Sequence, residues 1–215
     1  MMTLYHCWSA RSFRPLWALE EMSLTYDLKI LPFPPRFAAR EYLEINPLGT
    51  IPAFFDGDTF MTESAAICEY LATKYGPTPL AVTADEPAFG AYLNALHFGE
   101  ATLTFPQTIV LRYSRFEPEE RRLPQAVQDY KRWFFARLRV VEATLEARDF
   151  IACERFTMAD ISVGYALMLA YEMKNTEEIG PRTAAYWQRL QARDGFQRAF
   201  AAQKKAAAEA KTGKW

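Results

Sequence analysis

The sequence predicts a small α/β unit followed by an all-helical unit. Three observations predict it. Strand-like runs are confined to the first 61 residues. Proline and glycine cluster near residue 77 and again before residue 88. Beyond that, apolar residues recur at spacings of three and four, the period of a buried helix face.

Thr3 to Trp8 is the first strand, rich in β-favouring Tyr5 and Trp8. Ser9, Ala10, Arg11 and Ser12 break it, and Ser12 is placed to cap a helix running through Met22. Pro15 falls in that helix's first turn, where a missing N–H costs little. Tyr26 to Leu31 alternates and forms a second strand, which Pro32, Pro34 and Pro35 end. Arg36 to Leu43 fits a short helix. Ile51 to Phe55 is a third strand, and the turn Asp56-Gly57-Asp58 joins it to a fourth. A helix then opens at Thr62-Glu63-Ser64 and carries Ile67, Tyr70 and Leu71 on one face. The order is β-α-β-(α)-β-β-α, with a mixed four-stranded sheet. It implies a first domain at 1–77, a linker at 78–87 and a helical domain at 88–215.

In the second half, Ala88 to about Arg115 is helical, with Pro106 expected to kink or interrupt it. Gln125 to Ala147 is a strong helix, with Phe134, Leu138, Val141 and Leu145 on its apolar face. Thr157 and Asp160 form a capping pattern before an apolar, fully buried helix. Thr183 to Gln191 and Phe196 to Ala210 supply two more helices, and Lys204 to Trp215 is expected to be a solvated end.

The chain has 215 residues, half of them hydrophobic, and a net charge of −1. That balance argues against a nucleic-acid or anionic-membrane surface. No apolar run approaches a membrane span, and no secretory signal opens the chain. The three cysteines, Cys7, Cys68 and Cys153, are scattered, which fits reduced thiols in a cytoplasmic protein. Two distant histidines argue against a metal site.

The chain is organised around Asn46 to Leu71. Its odd feature is Pro52, which cannot donate to a sheet ladder and so belongs at an edge or a bulge. From composition alone a trans bond at an edge strand is the default. A cis bond is accessible to X-Pro at about 0.5–1 kcal/mol.

With NPLGTIPAF at 46–54, TESAAICEYL at 62–71 and FTMADISVG at 156–164, nearly the whole chain resembles a cytosolic glutathione S-transferase. LYHCWSARSFRPLWALEE at 4–21 is similar to that family's opening pattern, of the serine type seen in theta- and zeta-like members. The resemblance implies a thioredoxin-like first domain and a cis Pro52, which would turn the backbone of Ile51 outward to pair with glutathione as an added strand would. It implies that Ser64 and the first N–H groups of its helix hold the γ-glutamyl carboxylate, and that Glu63 holds the ammonium. Read singly, Glu63 is a charge favouring a helix N-terminus and Ser64 a solvated first-turn residue. Thr50 stands where many relatives carry Lys or Gln, so Arg36 or Arg40 would have to meet the glycyl carboxylate.

The resemblance assigns the chemistry to Ser9, whose hydroxyl would donate to the glutathione sulfur. A free thiol titrates near 8.5, and lowering that by about two units takes roughly 2.7 kcal/mol of thiolate stabilisation. A charge-assisted hydrogen bond and a helix N-terminus supply that order. Ser12 is the rival, and a turn-capping Ser9 the bland alternative. Cys7 and Cys68 are read as buried small hydrophobes rather than reactive thiols. The electrophile would meet Trp8, Arg11 and Tyr113, with His97, Glu100, Phe105 and Arg112 on the same helix as Tyr113. The resemblance further implies glutathione as co-substrate with no metal, a role in detoxification, and a homodimer to which Phe54, Phe55 and Phe60 could contribute. The alternatives are a non-catalytic ligand- or partner-binding protein and a glutathione-dependent peroxidase or isomerase.

Overall fold

The computed structural model describes residues 1–213 and resolves two compact units, one of residues 1–81 with 191–213 and one of residues 82–190. The first unit is built on a sheet of order β2-β1-β3-β4. Its strands are β1 (Met2–His6), β2 (Tyr26–Ile30), β3 (Ala53–Asp56) and β4 (Thr59–Met61). β1 runs parallel to β2, pairing Leu4 with Leu28, and antiparallel to β3, pairing Tyr5 with Ala53. The β3–β4 hairpin turns at Gly57, whose φ of 59° is a conformation that glycine adopts without a Cβ penalty. Helices α1 (Phe13–Glu21) and α3 (Ser64–Lys74) pack on each other, while α2 (Pro35–Ala38) is one turn followed by a 3-10 turn at Arg40–Glu44. This is the thioredoxin-like arrangement.

Most sequence expectations hold here, with local corrections. The third strand begins at Ala53 rather than Ile51, because Ile51 and Pro52 lie in the turn leading into it. Ser12 occupies the N-cap position of α1 but makes no side-chain cap, because its hydroxyl is used elsewhere. Phe54 is a core residue packed edge-on to Tyr70, while Phe55 and Phe60 face each other across the hairpin at 4.9 Å.

Helix α9 (Asp194–Glu209) belongs to the first unit, so the units do not coincide with the sequence ranges 1–77 and 88–215. Phe196 sets its ring edge-on against Trp17 and Phe13 of α1, at 5.0 and 5.5 Å. Arg193 grips Glu21 through two hydrogen bonds of 2.8 Å. The solvated end expected from Lys204 is instead helical through Glu209, with Ala207 buried. That expectation also covered residues 214 and 215, which lie outside the described residues.

The second unit is helical. Helix α4 (Phe89–His97) passes into a π-helical segment at Phe98–Thr104, then α5 (Phe105–Leu111) and a second π segment at Arg112–Phe116. Pro106 therefore does not interrupt the helix. It falls in the first turn of α5, directly after the π segment, where a missing N–H costs little. Helix α6 (Pro124–Thr144) packs on α5. Helix α7 (Met158–Met173) is almost wholly buried, as its unbroken apolar run requires. Its capping box forms, and α8 (Pro181–Gln191) returns Tyr186 to Asp160.

Candidate functional site

The sequence-predicted site residues of the first unit gather along one end of the sheet. β1 delivers Cys7, Trp8 and Ser9 to the loop before α1, and the pairing of β1 with β3 brings Ile51 beside them. Ile51 packs in one apolar cluster with Cys7, Ala10, Ala39, Tyr42 and Ala53. The cluster therefore reaches the residues on both sides of Ser9. The Ile51–Pro52 bond is cis.

Ser9 is fully buried and holds φ at +47°, a left-handed conformation that is uncommon for a residue with a Cβ. A buried polar chain surrounds it. The Ser9 N–H donates to Gln203 Oε1 at 3.0 Å, and His6 Nε2 meets the same oxygen at 3.1 Å. Since that oxygen only accepts, His6 carries its proton on Nε2. His6 Nδ1 then accepts from Ser12 Oγ at 2.8 Å, and Ser12 accepts the Cys7 N–H at 3.3 Å. The single Ser12 proton is thus committed to His6. Burial holds the imidazole neutral, lowering its pKa to about 4 against the two hydrogen bonds that raise it. Burial likewise pushes the Cys7 and Cys68 thiols up to about 12, so both are un-ionised at neutral pH.

The loop before Pro52 is held by residues whose role the sequence did not disclose. The Thr50 carbonyl accepts from Tyr42 Oη at 2.7 Å and from Asn46 Nδ2 at 2.9 Å. Asn46 is fully buried, and its Oδ1 accepts the Leu48 N–H, the side-chain turn that asparagine forms with its own backbone. Gly49 has φ +61°, and a Cβ there would come within 2.8 Å of Arg36 Cβ. The three-proline loop thereby seats Arg36 beside Gly49 and Thr50. Arg36 and Arg40 are both exposed, and the Arg36 guanidinium lies 4.8 Å over the Phe37 ring.

At the start of α3, Glu63 is exposed and Ser64 is buried rather than solvated. Ser64 Oγ accepts from Arg14 Nη1 at 3.1 Å. Arg14 is a fully buried cation on α1 that sequence reading passed over; an arginine on the apolar face of a helix was the available signal. The N–H groups of the first turn of α3 have no partner within the helix, as in any helix N-terminus.

Trp8 and Arg11 are half-buried on either side of Ser9 and Ala10, and Trp8 meets Phe200 edge-on at 6.0 Å. Tyr113 belongs to the second unit, half-buried under the Arg112 guanidinium at 5.4 Å. In that unit His97 and Phe105 are exposed and Glu100 is half-buried. Among the described residues no group of three His, Cys, Asp or Glu side chains could hold a metal ion. Among them too, no helix is long and apolar enough to cross a membrane.

A mixed four-stranded sheet with a cis-proline loop, a helix N-terminus and a serine turn at one end, followed by a helical unit, defines a glutathione-transferase architecture. Residues 8–74 match the family model described as glutathione S-transferase, N-terminal domain. Glutathione S-transferase A of Pleuronectes platessa is 30% identical over 197 residues, covering 90% of this chain and 88% of its own length. Glutathione S-transferase 3 of Zea mays is 30% identical over 174 residues, covering 75% of each chain. Among solved structures, the glutathione transferase URE2P6 of Phanerochaete chrysosporium, in complex with oxidized glutathione, superposes with a TM-score of 0.82 at 27% identity. That match covers 95% of this chain and 97% of the other. A glutathione transferase of Methylococcus capsulatus str. Bath gives a TM-score of 0.85 at 26% identity, covering 95% of this chain and 100% of the other. The chain belongs to the glutathione S-transferase family.

Proposed function

We propose that this chain transfers glutathione to an electrophile and that Ser9 is the catalytic residue, donating its hydroxyl to the glutathione sulfur as the thiolate. Ile51 packs with Cys7 and Ala10 on either side of Ser9, and this juxtaposition carries the reading. A tripeptide paired along the Ile51 backbone then has its cysteine beside the serine turn. The γ-glutamyl carboxylate meets the first turn of α3 at Ser64, where unpaired N–H groups and the helix dipole favour an anion. Exposed Glu63 takes the ammonium. Arg36, seated beside Thr50, takes the glycyl carboxylate, and Pro52 fixes the direction of the loop between them.

Ser12 is the weaker candidate, because its proton is already given to His6. Neither buried thiol competes with bound glutathione as a nucleophile. Trp8 and Arg11, beside Ser9, are assigned to the electrophile, which is a hydrophobic compound of the kind removed in detoxification. A cytoplasmic setting suits three free thiols. A homodimer is proposed from the family resemblance, and light scattering at twice the chain mass checks it.

The test is Ser9→Ala assayed with glutathione and chlorodinitrobenzene. Removing one donor to a developing or resident anion costs about 10²–10³ in turnover at most. The expected outcome is a large loss of kcat, a KM for glutathione within about threefold of native, and a bound thiol that titrates higher. Native turnover with an unmoved thiol titration would remove Ser9 from the chemistry.

A further inference from the structure

We propose that Gln203, on α9, is a positioning residue for Ser9: its side-chain carbonyl fixes the serine turn from 194 residues away. This deepens the proposed function and rests on the assignment of Ser9. Gln203 is fully buried, and its Oε1 accepts from the Ser9 backbone and from His6. The His6 bond selects the Nε2–H tautomer, and that tautomer is what lets Nδ1 draw the Ser12 proton. Ser12 in turn accepts the Cys7 N–H. One oxygen therefore anchors the turn twice, directly at Ser9 and through His6 and Ser12 at Cys7.

The need for an anchor follows from the backbone. Ser9 sits at φ +47°, a conformation that persists only where surrounding contacts impose it. Without Gln203 the buried Ser9 and His6 N–H groups lose their acceptor, and the turn is free to relax toward an ordinary conformation that re-aims the hydroxyl. The amide nitrogen of Gln203 is buried and has no hydrogen-bond partner among the described residues. It distinguishes glutamine from glutamate at this position, since glutamate keeps the acceptor, loses this donor and adds a charge beside His6.

The experiment compares full-length native enzyme, Gln203→Met, Gln203→Glu, Gln203→Asn, Ser9→Ala and the Ser9→Ala/Gln203→Met double variant. Each is assayed with chlorodinitrobenzene, and the bound glutathione thiol is titrated by its ultraviolet thiolate absorbance. In Gln203→Met, kcat should fall about tenfold, with the KM for glutathione within about twofold and the thiol titrating about one unit higher. Gln203→Glu keeps the acceptor and should retain more turnover than Gln203→Met at high pH. The double variant should be no slower than Ser9→Ala alone, because the anchor acts only through that hydroxyl. Losses that multiply in the double variant overturn the proposal, as does native kcat and thiol titration in Gln203→Met. If Gln203→Met does not fold, Gln203→Asn decides, because it draws the acceptor back from the turn by one methylene: native kcat and native thiol titration in that variant overturn the proposal. A native Ser9→Ala defeats the Ser9 assignment itself, whereas a defective Ser9→Ala beside a native Gln203→Met defeats only the role of Gln203.

Discussion

His6 is one of two histidines in the chain and lies at the centre of the serine turn, with no exposed surface. Its folded pKa, lowered to about 4, sits below the ordinary value of 6.5 because burial disfavours the imidazolium. The unfolded chain therefore binds a proton that the folded chain refuses as pH drops below 6.5. Stability from this group is complete above pH 6.5 and is lost as pH falls toward 4. Between pH 7 and 5, before most carboxylates titrate, the loss should be about 2 kcal/mol, read as a falling urea midpoint. His6→Gln should be less stable at pH 7 and should lack that slope; a slope equal to native would place the titrating group elsewhere. Nothing in the sequence marked His6 for this position. Its partners, Ser12 and Gln203, are 6 and 197 residues away, and only the first is near enough for local pattern to suggest.

At the scale of elements, the sequence is informative where a signal is local. Thr157 and Asp160 are three residues apart, so the cap on α7 is legible in the residue spacing alone. What is not legible there is the rest of the cap's bonding. Asp160 also accepts from the Ile151 N–H at 2.9 Å and from Tyr186 Oη at 2.7 Å, joining the preceding loop and α8 to the start of α7. Burial pushes this carboxyl up, while those bonds and the two from Thr157 hold it down. Asp160→Ala leaves buried donors at Thr157, Ile151 and Tyr186 without their acceptor. It should cost about 3 kcal/mol or more, seen in the urea midpoint, with Asp160→Asn intermediate because it keeps one acceptor oxygen. A loss below about 1 kcal/mol would mean that water replaces the carboxylate and that the cap is only a local feature. Pro106 shows the opposite case. Its residue type speaks for a kink or an interruption, but helical backbone continues through it directly after a π segment, and π segments have no compositional signature.

At the scale of the whole chain, periodicity identifies α9 as a helix but not its place. Residue spacing says which face is apolar, and both the first and the second unit offer apolar helices to receive one. The deciding contacts are long-range: Phe196 against Trp17 and Phe13, the Arg193 fork on Glu21, and Arg198 on Glu20 at 3.1 Å. Trp17 and Phe13 are fully buried on α1, the same helix that carries Arg14 to Ser64. Removing the chain after Ala192 would expose both rings, take the Arg193 fork from Glu21 and take away Gln203. Burying side chains of that size stabilises by about 1.5–3 kcal/mol each, so their exposure exceeds what a unit of marginal stability tolerates. The truncated chain should lose the near-ultraviolet dichroism of its tryptophans and its retention on immobilised glutathione. Phe196→Ala in the full chain should fall between, losing about 3–5 kcal/mol in the urea midpoint while still binding glutathione at low denaturant. A truncated chain that unfolds cooperatively at the native midpoint would show that α9 is an accessory to the first unit rather than part of its core, and the dependence of the serine turn on Gln203 would then have to be judged apart from the stability of the fold.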